Sequence, residues 1–163
     1  MNSETALYIY DRIFPAAFAL LPARMDFPAA RAMIMAIGGQ ESEFHARVQG
    51  GGGPAHGFGQ FEKNGGVKEV LTSAITRPIL LPILKTLCYT PDVSACYDAI
   101  VHNDVLAIVF MRLLLWKYPG ALATQDEMDK GYRQYLAAWR PGKPRPRDWP
   151  RNFTDGWQLV THG

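Results

Sequence analysis

Several shortcuts to a function are missing from this chain. It has two cysteines, Cys88 and Cys96, in 163 residues. That is too few for a disulfide framework, and they read as reduced, partly buried thiols. A bridge across the short CYTPDVSAC loop would need an oxidising compartment. Neither they nor His45, His56, His102 and His162 fall at metal-ligand spacing, so no metal and no other cofactor is expected. Charge of one sign is scarce too. The net charge of +2 excludes the strongly basic footprint of a dedicated nucleic-acid binder. Long apolar runs are lacking: AIVFMRLLLW is broken by Arg112 and falls short of the about 20 residues that span a membrane. The stretch IFPAAFALLPA carries two prolines and follows Glu4 and Asp11, whereas a secretory signal needs a basic flank. The reading is a protein made in the cytoplasm without a signal peptide and not inserted in a membrane.

What is present is a core and a helical pattern. Hydrophobic residues make up 48% of the chain, enough at this length to bury one core. Helical periodicity dominates and no alternating strand run stands out, so the expected class is mainly α, one domain over 1–163. The pattern predicts a helix over 3–21 with a kink or break near Pro15. A second runs from an Asp26 N-cap, with Pro28 in its first turn, to about Glu43. Further helices are expected over 67–76, 78–87, 92–99, 103–118 and 125–139. The glycine-rich segment 50–66 reads as a loop or small hairpin. The proline- and arginine-rich segment 141–151 predicts an extended strap around the domain, with no helix before Asn152.

The chemistry concentrates in GGQESEFHARVQGGGGPAHGFGQFE, residues 38–62. Ala30, Met33, Ile34, Ile37, Glu41 and Phe44 recur at helical spacing, which puts Glu41 on the apolar stripe. Glu43 would lie about 200° around the helix, toward solvent. A carboxyl on an apolar stripe holds its proton more tightly, the property a general acid needs. The competing reading is a buried glutamate tied to an arginine such as Arg47 or Arg112. The glycines allow close backbone approach to a ligand, and Gln60 adds an amide that both donates and accepts. A phosphate cradle is excluded by the missing Lys-Ser/Thr grip.

These residues resemble the core of the lytic transglycosylase and goose-type lysozyme superfamily. There a Glu-Ser pair ends a helix and a G-x-x-Q turn follows, here Glu41-Ser42 and Gly57-Phe58-Gly59-Gln60. A third block of that family, an Ala-Tyr-Asn-Ala-Gly-like run, corresponds to residues 136–142, with Trp139 in place of tyrosine and Arg140 in place of asparagine. ALLPARMD, the ES…GPA core and WRPGKPRP make the chain most similar to small phage and prophage proteins that degrade peptidoglycan. The resemblance implies a lysozyme-like fold and a partner in peptidoglycan glycan strands. It implies Glu41 as general acid and base on the β-1,4 bond between N-acetylmuramic acid and N-acetylglucosamine. Ser42 would orient that carboxyl or contact substrate, and Gln60, Trp139 and Arg140 would line the saccharide groove. Phe58 and Phe61 flank Gln60 and either stack on a sugar face or pack in the core.

A muramidase generally needs a second carboxylate. Residues 44–59 contain none, which leaves Glu62 as the nearest candidate and favours transglycosylase chemistry, in which the substrate's own hydroxyl attacks. The implied setting is phage-driven host lysis with a separate pore protein for release, or a virion-carried enzyme acting on periplasmic peptidoglycan. A catalytically silent wall-binding or virion structural protein is the main rival. A nucleic-acid module built on Arg140, Lys143, Arg145, Arg147 and Arg151 around Trp139 and Trp149 is the lesser one.

Overall fold

Two segments are buried on every face, and the rest of the chain is wrapped around them. From Ala32 to Gln40, and again from Leu106 to Leu115, each residue is buried, the pattern of helices that run through a core rather than along its surface. The computed structural model describes residues 3–162. In chain order it has α1 (Ser3–Tyr8), α2 (Phe14–Ala19), α3 (Pro28–Glu41), β1 (Ala55–His56), β2 (Phe61–Glu62), α4 (Lys68–Thr72), α5 (Arg77–Thr86), α6 (Val93–His102), α7 (Asp104–Trp116), α8 (Met128–Trp139) and α9 (Trp149–His162). The protein is therefore mainly helical, with one antiparallel hairpin in the glycine-rich segment, Ala55 opposite Glu62 and His56 opposite Phe61. One cluster of buried side chains runs from Ala6 to Trp157. Among the described residues no helix is long and apolar enough to cross a membrane.

The breaks follow local chemistry, and several differ from the sequence reading, α4 among them, which ends at Thr72 rather than 76. The first helix is interrupted just ahead of Pro15, where a break was expected, and its second part ends at Ala19. Pro15 has no N–H for an ordinary helical bond, and Ile9–Ile13 widens into a π turn in which Phe14 N–H reaches Ile9 O. Asp26 does not cap α3. Phe27 occupies the cap position, Pro28 opens the helix, and Asp26 takes both its bonds from Arg31 at 2.6 and 2.8 Å.

Another difference is the end of α3, which comes at Glu41 rather than Glu43. Ser42 leaves the helical region, and Glu43 and Phe44 follow at φ of 51° and 57°, a left-handed turn that L-residues adopt only under tertiary constraint. Finally, α9 begins at Trp149, ahead of Asn152. Pro150 falls in its first turn, where a missing N–H costs no helical bond.

The long pairing in the fold is α3 with α9. At Gly156 of α9 an added Cβ would sit 2.6 Å from the carbonyl oxygen of Ala32 and 3.1 Å from the amide of Ala36. The two helix backbones touch there. Both cysteines are free, Cys88 exposed and Cys96 buried, and burial pushes the Cys96 thiol up to about 11.

Candidate active site

The last turn of α3 opens into a cleft of about 910 Å³. Its walls come from four places in the sequence. The end of α3 and the turn after it give Glu41, Glu43 and His45; the hairpin gives Gln60, Phe61 and Glu62. The third wall is Glu69 of α4. The fourth is the end of α8 with the strap that follows, bringing Tyr135, Trp139, Arg140, Lys143 and Arg145.

Glu41 is the cleft residue whose charge the fold opposes. Its carboxyl accepts a hydrogen bond from Tyr135 Oη at 2.6 Å. Burial raises its pKa from the ordinary value, with the Tyr135 bond and the Arg145 charge pulling the other way. Neither arginine expected as a partner is there. Arg47 pairs with Asp104 at 2.7 Å, and Arg112 is buried against Phe27 and Trp116 with Nε on Met25 O. The partner is a tyrosine, which leaves the second carboxyl oxygen without a bond among the described residues and able to carry a proton. Burial and the Glu41 charge hold the Tyr135 hydroxyl itself well above its usual range, so it stays a donor.

The G-x-x-Q sequence is the hairpin turn itself. Gln60 N–H donates to Gly57 O at 3.0 Å, and Gly57 turns at φ 69° with Ile100 O too near to admit a side chain comfortably. The two carbonyls at the turn's centre are each held by a neighbouring element. Ser42 Oγ donates to Phe58 O at 2.8 Å, and Trp139 Nε1 donates to Gly59 O at 2.9 Å. Ser42 and Trp139 thus staple the turn to the ends of α3 and α8. Ser42→Ala leaves the buried Phe58 oxygen and the Phe44 amide without this partner. It is expected to cost about 1–3 kcal/mol in urea unfolding.

The other expected site residues divide. Gln60 lines the cleft, with its Nε2 donating to Gly57 O and Ala46 O at 3.0 and 3.3 Å. Phe58 does not line it: fully buried, it packs edge-on to Phe44 and under Arg47, so it is a core residue rather than a sugar platform. Phe61 borders the cleft but is 3% exposed, wedged between Phe110 and Trp139. Glu62 is exposed on the cleft rim. Arg140 reaches Glu69, whose other oxygen holds Lys117 at 2.6 Å. Glu43 does not point away as the helical extrapolation held. The left-handed turn after α3 brings it to the same cleft, 3.7 Å from Arg151.

No family model matches the chain, and neither does any curated protein or solved structure. The likeness to the lysozyme-like superfamily therefore rests on the motifs, and function must be argued from the cleft. Tyr135, Glu69 and Arg145 are the cleft residues that sequence reasoning missed. One signal was present for Tyr135: in GYRQYLAAW it precedes Trp139 by four residues, on the same face of one helix. The aromatic and basic residues of the rival nucleic-acid reading are differently placed. Trp149 is buried against Tyr135, Trp139 is tied to Gly59, and Arg140 and Arg151 face acids.

Proposed function

We propose that this protein is a lysozyme-like enzyme that cleaves the β-1,4 bond between N-acetylmuramic acid and N-acetylglucosamine in peptidoglycan, with Glu41 as the general acid. The observation that carries the reading is a carboxyl whose pKa is raised by burial, bonded through one oxygen to Tyr135 and lining a cleft. In the chemistry this supports, the Glu41 proton passes to the glycosidic oxygen as the C1–O bond breaks. The ionised carboxylate then takes the proton of the muramic 6-hydroxyl while that oxygen bonds to C1. The product is a 1,6-anhydro sugar, and Glu41 ends protonated as it began.

The other cleft acids support one-carboxylate chemistry over hydrolysis. Both Glu69 oxygens are occupied by cations, one by Lys117 and one by Arg140, so neither is free to activate water. Glu43 lies near Arg151. That leaves Glu62, exposed and without the burial that sets Glu41 apart. The deciding experiment is digestion of purified peptidoglycan with the products weighed. Fragments lacking the mass of one water support transglycosylase chemistry; full-mass reducing ends would make the protein a muramidase. Glu62→Gln is expected to keep activity within about tenfold of wild type, against the 10²–10⁴-fold that a true acid–base group contributes. A larger loss would restore Glu62 as the second carboxylate.

The placement that accompanies this reading is a phage lysis or virion enzyme acting on the periplasmic wall. The rival of a silent wall-binding protein predicts retention on peptidoglycan with no soluble fragments released.

A further inference from the structure

Glu41 is the last residue of α3, and a helix carries about half a unit of negative charge at that end. Burial and the helix end therefore both work against an ionised Glu41. A group that gives up a proton and later takes one back must nevertheless exist as a carboxylate for part of each cycle. Something has to stabilise it then.

The strap supplies a cation at this point. Arg145 Nη2 donates to the backbone carbonyl of Gln40, one of the carbonyls that the last turn of a helix leaves unpaired. In return Gln40 Nε2 donates to the carbonyl of Arg145 at 2.8 Å. Asn152, at the start of α9, donates from Nδ2 to Gln40 Oε1 at 3.0 Å. Gln40 is 2% exposed, so water cannot replace these bonds. The result is a two-way lock that holds residue 145 against the residue preceding Glu41. Arg145 Nε also lies 3.4 Å from Asp148, a half-exposed contact that leaves the guanidinium on the cleft wall.

We propose that Arg145 is a positioning residue for Glu41: locked to the end of α3 through Gln40, it stabilises the carboxylate that Glu41 becomes after giving up its proton. The other groups around the cleft do not fill this role. Tyr135 on α8 donates to Glu41 but carries no charge. Arg140 and Lys117 are engaged by Glu69, and Arg151 lies by Glu43. Lys143 on the strap, Glu62 on the hairpin and His45 after α3 are exposed and, unlike the half-exposed Arg145, are not tied to the end of α3. Arg145 is the cation whose charge acts on Glu41.

The proposal rests on Glu41 as the general acid of the proposed function, so its test includes a readout that needs no substrate. The carboxyl carbon of Glu41 is titrated by ¹³C NMR in the intact wild type, Arg145→Gln and Arg145→Lys. The Gln variant is expected to move the Glu41 midpoint up, and the Lys variant to leave it near wild type. On peptidoglycan, the Gln variant should shift the alkaline fall in kcat/KM to higher pH and lower kcat by about tenfold, with KM changed less. Gln40→Ala, which frees the strap while keeping the cation, is expected to raise the midpoint as well, and it carries the same reading where the Gln variant does not fold. An unchanged Glu41 midpoint across the folded variants overturns the proposal, whatever happens to activity. A shifted midpoint in a protein that never cleaves peptidoglycan sinks the proposed function and leaves the positioning role standing.

Discussion

Glu41→Gln is expected to lower peptidoglycan cleavage by at least about 10²–10⁴-fold, the contribution of a positioned acid–base group, while the fold is retained. The amide keeps the shape of the carboxyl and still accepts from Tyr135, so the cleft loses a transferable proton and little else. Stability gives an independent check with a definite sign. The Glu41 pKa is raised on folding, chiefly by burial, so the folded chain binds more protons than the unfolded chain. Stability then falls as pH rises from the unfolded glutamate value through the folded one. Gln has no such dependence. Thermal unfolding from acidic to neutral pH should therefore show the variant gaining on wild type as pH rises, with no gain below the unfolded value. The same titration governs activity: the acid form is needed, so wild-type kcat/KM should decline as pH rises through the Glu41 pKa. A Glu41→Gln protein that cleaves peptidoglycan at the wild-type rate would remove Glu41 from the mechanism.

Gly156→Val should destabilise the fold. The close approach at Gly156 is to backbone atoms, Ala32 O at 2.6 Å and Ala36 N at 3.1 Å from the added Cβ. A helix backbone cannot turn aside as a side-chain tip can. The two helices must separate, and Met33 to Ile37, all fully buried, lose contacts along the seam. Overpacking of this kind costs about 1–3 kcal/mol, and in a chain of this size each kcal/mol lowers Tm by about 2–4 °C. Because α3 ends in Glu41 and α9 begins beside the Gln40 lock, activity should fall with stability. Gly142→Val is the control, since an added Cβ there meets nothing within 4 Å. Equal Tm values for the two variants would show that the α3–α9 contact is not a tight one.

The burial of Glu41 was legible in the sequence for a reason only half right. Periodicity put it on an apolar stripe, but α3 has no polar face from Ala32 to Gln40; Glu41 stands out because it is the point where a fully buried helix emerges. Glu43 was misplaced because nothing in ESEF announces a left-handed turn, which is imposed by Ser42 bonding the hairpin and Phe44 entering the core. The helices read well because their ends are marked by proline and asparagine, as at Pro28 and Asn103. Trp149-Pro150 was misread because proline density hid the one position at which proline begins a helix. Tyr135 and Arg145 could not be assigned to Glu41, since they lie 94 and 104 residues further along the chain and only packing brings them to it.

That separation also sets a timetable. The two side chains and backbone groups that satisfy Gln40 lie 105 and 112 residues downstream. Translation proceeds at about 5–20 residues per second, so the central helix leaves the ribosome roughly 5–20 s before its partners exist. During that interval α3 has no α9 to cover it, and Glu41 has neither Tyr135 nor Arg145. The nascent chain therefore passes through a period in which its central helix is adhesive, and the surroundings of Glu41 are assembled last.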